Sequence, residues 1–321
     1  MYRIIFECVR IVFVVLMIMI FMLLCLRVFH HLIMKKEKRY IIPNGKMICV
    51  NGRKIHVYLE GKQSNRLTLV FLSGSATVAP VYDFKSIYGR LSDRYKIAVI
   101  EKPGYGYSDI TDIDRSITSM VMEERNALVG AGGCGPYILI SHSMGGLEAI
   151  YWAQNYPDEV QGIIGLDMAV PEVYEKMNIK ASLRMMKLLK IVCFLGIQRI
   201  PGLYPLNTEE LNEDEKKQQK LLLYHYYMNQ NFCSESERVM ENAEIVINGG
   251  HIHLPLLMFT SNGSEIGDFW IPCERKFAEE NHGKIIQFNC GHYIHHYESE
   301  AIVNKIEKFM LEFYEYDISD Q

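Results

Sequence analysis

The chain has 321 residues, with 34 basic and 38 acidic side chains for a formal net charge of −4, and 49% of its residues are hydrophobic. That length accommodates one large domain with an insertion, or two modest ones. The mildly acidic balance, with no basic face carrying interleaved aromatics, argues against a nucleic-acid partner. The eight cysteines (Cys8, Cys25, Cys49, Cys134, Cys193, Cys233, Cys273 and Cys290) are scattered without a C-x-x-C pair. They read as free thiols, not as a disulfide frame or a zinc site, and favour a reducing compartment.

Residues 11–26 (IVFVVLMIMIFMLLCL) carry no charge, and the apolar character continues past Arg27 to Met34. Sixteen residues span about 24 Å at ~1.5 Å per residue, against a hydrocarbon core of ~30 Å. Arg10 and Arg27 can snorkel at the rims and lengthen the span. No small-x-small cleavage site follows, and Cys25 lacks the small neighbours of a lipoprotein signal. Residues 1–39 therefore read as an uncleaved transmembrane anchor with a basic flank. The cluster Lys35, Lys36, Lys38 and Arg39 outweighs Arg3 and Arg10, so the positive-inside rule puts the rest of the chain in the cytoplasm. The opposite orientation, N-terminus inside, is common for short anchors.

Residues 40–321 form the remaining domain. Lys46–Val50 and Lys54–Leu59 flank Asn51-Gly52, a strong hairpin signal. Leu67–Leu72 is an unbroken apolar strand of the kind covered on both faces, and it ends in the small loop Ser73-Gly74-Ser75-Ala76. A helix pattern (Phe84, Ile87, Tyr88, Leu91), the strand Ile97–Ile100 and the turn-rich loop Pro103–Asp109 follow. Residues 117–130 read as a helix and 137–141 as a strand.

That strand runs into Ser141-His142-Ser143-Met144-Gly145-Gly146, after which Leu147, Ile150, Tyr151 and Ala153 mark a helix face. A strand turning abruptly into a helix with a serine at the apex is the nucleophile-elbow arrangement, G-x-S-x-G, here with Ser141 in place of the first glycine. Small neighbours are needed because the apical residue is strained. The helix stops at Asn155-Tyr156-Pro157, and Val160–Leu166 is the next strand, ending at Asp167. Strands alternating with helices predict an α/β, doubly wound, mostly parallel sheet. Residues 171–250 break the rhythm, with no convincing strand before Ile245-Val246-Ile247 and with helical spacing at 181–195 and 217–229. They read as a helical cap over the catalytic edge of the sheet. Leu254–Thr260 resumes the sheet, 269–280 is helical, Lys284–Phe288 is a last strand and 299–314 a closing amphipathic helix.

A serine hydroxyl attacks a carbonyl efficiently only when an imidazole takes its proton and a carboxylate orients that imidazole. In a doubly wound sheet these groups come from loops at the C-terminal ends of strands. Ser143 is the nucleophile by position. His292, following the last strand and Gly291, is the base, in preference to His282, His295 and His296. Asp167 is the preferred acid, with Glu265 and Asp268, after the strand at 254–260, as alternatives. The backbone N–H of Met144 and that of Ser75 are the expected oxyanion donors. His251 and His253 lack a third ligand for a metal and read as cap or core residues, and no cofactor is expected.

With these residues in place, the chain resembles the α/β-hydrolase superfamily over about residues 50–313, through Gly135–Gly146, Pro103–Ser108 and Gly291-His292 before a final helix. Ser73-Gly74 stands where that family usually has His-Gly, Glu101 where an Asp precedes the Pro-Gly-Tyr-Gly loop, and Ser264 or Glu265 where the usual acid falls. Certain haloalkane dehalogenases take the acid from the end of the preceding strand, and Val160–Asp167 is similar to that arrangement. Those enzymes use an Asp nucleophile, whereas Ser143 points to acyl transfer. The resemblance implies a membrane-anchored serine hydrolase of esterase, lipase or aminopeptidase-like type, acting on a small-molecule or lipid-like acyl substrate. Rival readings are a catalytically silent scaffold that binds a partner, and an aminopeptidase or acyltransferase using the same triad.

Overall fold

The computed structural model describes residues 2–62, 66–204 and 206–314. The N-terminal apolar run forms α1 (Tyr2–Glu37), a helix long and apolar enough to cross a membrane, with a mean hydropathy of 3.0 over an 18-residue stretch. Next come β1 (Lys46–Val50) and β2 (Arg53–Gly61). The turn between them carries Asn51 at φ +50° and Gly52 at φ +77°. Two positive φ angles twist the turn to match a right-handed hairpin, which is why Asn-Gly is favoured there.

The chain continues through β3 (Thr68–Leu72), α2 (Pro80–Asp83), α3 (Lys85–Leu91), β4 (Lys96–Glu101), α4 (Ile117–Gly130), β5 (Tyr137–Ser143), α5 (Gly145–Asn155) and β6 (Val160–Met168). Four helices then intervene: α6 (Val173–Lys176), α7 (Ile179–Leu195), α8 (Glu213–Tyr226) and α9 (Gln230–Asn248). The sheet resumes with β7 (Leu256–Thr260), α10 (Trp270–Glu280) and β8 (Lys284–Gln287), and the chain closes with α11 (Ile294–Tyr297) and α12 (Ser299–Tyr314). The sheet has eight strands in the order β1-β2-β4-β3-β5-β6-β7-β8. β2 is antiparallel to both its neighbours, and every pairing from β4 to β8 is parallel.

Strand periodicity sorts the core into two layers. On β3 and β5, Val70, Leu72 and Leu139 face α4, α5 and α10. Leu69, Phe71, Ile138 and Ile140 face α2, α3 and α12 on the other side. Each such fully buried side chain contributes about 1.5–3 kcal/mol over an exposed one, and both faces of β3 and β5 are covered by apolar packing along most of their length.

The strand signal at Ile245-Val246-Ile247 is overturned: those residues end α9. Phe232, Glu235, Val239, Asn242, Ala243 and Val246 are buried at helical spacing, and packing of that stripe outweighs the β preference of three branched residues. His251 and His253 are exposed in the segment between α9 and β7, not cap or core residues, because only the intervening Ile252 turns inward.

α1 is joined to the body. The Arg27 guanidinium lies over the Phe194 ring at 4.2 Å. Arg199 donates to His30 Nδ1 at 2.8 Å and pairs with both Glu37 oxygens at 2.9 and 2.7 Å.

Candidate active site

Ser143 ends β5 at φ +49°, a left-handed conformation costly for a residue with a Cβ and held only when its surroundings enforce it. They do so by close approach. A Cβ on Gly145 would lie 2.7 Å from the Leu72 carbonyl oxygen, and one on Gly74 would lie 2.6 Å from Ser143 Cβ. The loop 73–76, which carries Ser75, therefore lies directly against the apex, while Met144 opens α5. The Ser141 replacement is accommodated by its neighbour across the sheet. Ser141 pairs with Gly165, whose missing side chain leaves room for Met168, its Sδ lying 2.8 Å from where a Gly165 Cβ would be, and the Ser141 hydroxyl donates to that sulfur at 3.3 Å.

Asp167, near the end of β6, also has φ +49°, and this turn aims its carboxylate across the sheet edge. Asp167 Oδ2 lies 2.6 Å from His292 Nδ1. Asp167 Oδ1 accepts from the backbone N–H of Ser261 at 2.7 Å and the indole N–H of Trp270 at 3.0 Å. The carboxylate is fully buried, and three donors meet the demand that burial creates. Of the other two acids weighed from the sequence, Glu265 accepts the backbone N–H of His292 at 2.8 Å, and Asp268 is exposed. Glu265 thus holds the loop and Asp167 holds the ring.

Several residues that sequence reasoning missed surround this pair. The Trp270 ring meets the His292 imidazole edge-on at 5.5 Å and 90°. His142 lies 4.7 Å, centroid to centroid, from His292 and 4.8 Å from both Tyr293 and His295. Burial, reinforced by His292 and His295, pushes the His142 imidazole well below its usual pKa. It is a neutral spacer under the loop. Asp83 Oδ2 and Oδ1 accept from His295 Nε2 and His296 Nε2 at 2.9 and 3.0 Å. Burial would raise the Asp83 carboxyl, but the two imidazoles outweigh it and hold the group well below the carboxylate range. Ligand atoms of these three residues lie within 4.8 Å of one another, close enough to hold a metal ion, although each imidazole Nε2 is engaged by Asp83. A signal for these residues existed only in part: the His-His pair is visible in the sequence, its carboxylate partner 212 residues away is not.

A second buried polar group ties the helices between β6 and β7 to the elbow helix. Lys102 Nζ reaches Glu148 on α5 at 2.6 Å and Glu235 on α9 at 3.2 Å. Arg115 bridges Glu235 and Glu123, and the Tyr105 hydroxyl donates to Glu235 at 2.6 Å. Glu124 is buried beside them, and one oxygen of Glu124 and one of Glu148 lack a partner among the described residues. Burial first, and then the Glu148 charge, raise the Glu124 carboxyl well above its ordinary value. Glu101, the departure from the usual Asp, receives the N–H of Val81 at 3.1 Å and of Tyr107 at 2.8 Å. Its longer side chain pins the Pro103–Ser108 loop.

The strand–turn–helix at Ser143 and the mostly parallel, doubly wound sheet are those of the α/β-hydrolase fold. A profile of the alpha/beta hydrolase fold family matches residues 68–187, and the chain has the α/β-hydrolase fold. It is 42% identical over 147 residues to the uncharacterized protein YbdG of Bacillus subtilis (strain 168), a match covering 46% of this chain and 45% of that protein. A second relative, the uncharacterized protein YqjL of the same organism, is 26% identical over 125 residues, covering 39% of this chain and 48% of the relative. The chain thus matches less than half the length of either curated relative. Among solved structures, a candidate lipase (lip1) from Acinetobacter baumannii AYE aligns with a TM-score of 0.63 at 17% identity, covering 89% of this chain and 97% of the other. The haloalkane dehalogenase DbeA from Bradyrhizobium elkani USDA94 aligns with a TM-score of 0.58 at 17% identity, covering 84% and 98%. At such identities the likeness is one of fold.

Proposed function

We propose that the chain is a membrane-anchored serine hydrolase that cleaves an ester or amide through an acyl-enzyme. Ser143 Oγ attacks the substrate carbonyl carbon while the Nε2 nitrogen of His292 takes the hydroxyl proton. Asp167 holds the ring by its Nδ1–H and stabilises the imidazolium, and the N–H groups of Met144 and Ser75 receive the oxyanion. The imidazolium returns its proton to the leaving group. Water then attacks the acyl carbon, giving a proton to His292, and release of the acid returns it to Ser143.

One observation carries this reading: the 2.6 Å contact between His292 Nδ1 and Asp167 Oδ2, set behind a serine held at φ +49°. A hydroxyl at the apex suits acyl transfer, in contrast with a carboxylate nucleophile. The anchor reading draws support from α1, whose outward-facing apolar length is joined to a packed C-terminal end at His30 and Glu37. A fluorophosphonate probe should label the wild type and spare Ser143→Ala. Equal labelling of the two would refute the assignment.

A further inference from the structure

The helix α7 carries apolar residues on two sides, and only one side packs on the body. Leu183, Met186, Leu189, Val192 and Cys193 are wholly or partly covered, at the spacing of one helix face. Met185, Leu188, Ile191 and Phe194 lie off that face and are 56–58% exposed. Ile200 and Leu203, which follow in the chain, are exposed as well. Lys180, Arg184, Lys187 and Lys190 are also exposed, and α7 has no acidic residue. None of these four cations has an ion-pair partner among the described residues, although Glu237 of α9 acts on the same Cys233 thiol as Lys187 and Lys190. Clustered exposed apolar residues mark a surface that meets a partner, and a helix that pairs them with cations suits a membrane interface.

What meets this side follows from where α7 ends. The Arg27 guanidinium over the Phe194 ring joins the last turn of α7 to α1. Gly196, the left-handed cap of α7, abuts His30, whose Cγ would lie 2.6 Å from a Cβ at that position. Arg27 is the first residue after the charge-free run 11–26. The end of α7 thus meets α1 within one turn of the point where that run stops. Lys35, Lys36, Lys38 and Arg39 are exposed at the same end of α1. With α1 in a bilayer, this level is the headgroup boundary. A second copy meeting through the same side would set the α7 cations against their own kind. An anionic leaflet attracts them and takes up the apolar residues too.

We propose that the exposed side of α7 docks on the bilayer that α1 enters, with Met185, Leu188, Ile191 and Phe194 among the upper acyl chains and the cations on anionic phospholipid headgroups. This rests on the anchor reading of α1 and adds to it a second membrane contact, made by the helices between β6 and β7.

The test uses the full chain in lipid nanodiscs, with an introduced tryptophan as depth probe and brominated lipids as quenchers. Native Trp152 and Trp270 are buried in the body, so the wild type supplies the background. Leu188→Trp alters an exposed position and leaves the packed side of α7 intact. It should lose emission to lipid brominated near the headgroup in discs of phosphatidylcholine with phosphatidylserine. That loss should shrink in phosphatidylcholine alone, and likewise when Arg184→Gln, Lys187→Gln and Lys190→Gln are added. Phe21→Trp reports on the anchor separately, through lipid brominated near the chain end. Quenching at Phe21→Trp with none at Leu188→Trp overturns the docking and leaves the anchor standing, and a dimer in that case identifies a second copy as the occupant. No quenching at Phe21→Trp overturns the anchor and the docking with it. Equal quenching of Leu188→Trp with and without phosphatidylserine overturns the recognition of anionic headgroups.

Discussion

Trp270 donates its indole N–H to Asp167 Oδ1 at 3.0 Å, so a residue that opens α10 holds the carboxylate facing His292. Trp270→Phe keeps most of the ring volume and removes the donor. A hydrogen bond to a charged group contributes about 1.5–3 kcal/mol, so kcat for a p-nitrophenyl ester should fall about 10- to 100-fold with KM nearly unchanged. A loss in KM alone would show that Trp270 shapes the substrate site instead of positioning the acid.

Gly74 tests the loop opposite. Its missing side chain gives Ser143 room, since a Cβ there would lie 2.6 Å from Ser143 Cβ and 3.1 Å from the His142 carbonyl oxygen. Gly74→Ala must displace either the elbow or the loop carrying Ser75. The expected result is a kcat loss of about 100- to 1000-fold, the cost of losing one oxyanion donor, in a protein that still melts cooperatively. Activity within twofold of wild type would remove this loop from the catalytic arrangement.

Glu124 gives a pH signature. Burial and the Glu148 charge raise its folded-state pKa above the unfolded value. The associated stability is therefore fully present below an unfolded pKa of about 4.3 and is lost as pH rises through the raised folded value. Glu124→Gln removes that titration. The Tm of the variant relative to wild type should climb between pH 5 and pH 8 in thermal melts, and a constant difference across that range would count against a raised Glu124.

Much of this was legible in the sequence, and the reasons differ by element. The hairpin at Asn51-Gly52 and the elbow at Ser143 are local devices, written in a few adjacent residues. The strand expected at Ile245–Ile247 failed because branched side chains favour strands only where a pleated neighbour exists. Here the partner is α5, and the buried spacing of Val239, Ala243 and Val246 was the better guide. Glu265 and Asp167 competed as the acid for a related reason. Their loops leave neighbouring strands and converge on one histidine, one at its backbone and one at its ring. Trp270, His142 and Asp83 could not be read at all, because each acts through contacts across the fold.

The contacts of α1 have one more consequence. A helix joined to its domain by a loose linker acts as a leash, free to swing and spin. Here Arg27 on Phe194 and Arg199 on His30 and Glu37 fix the helix at separate points along its last turns, making it a mast. Azimuth and tilt of the helix relative to the body are set together, so every copy presents the same flank along the axis of α1.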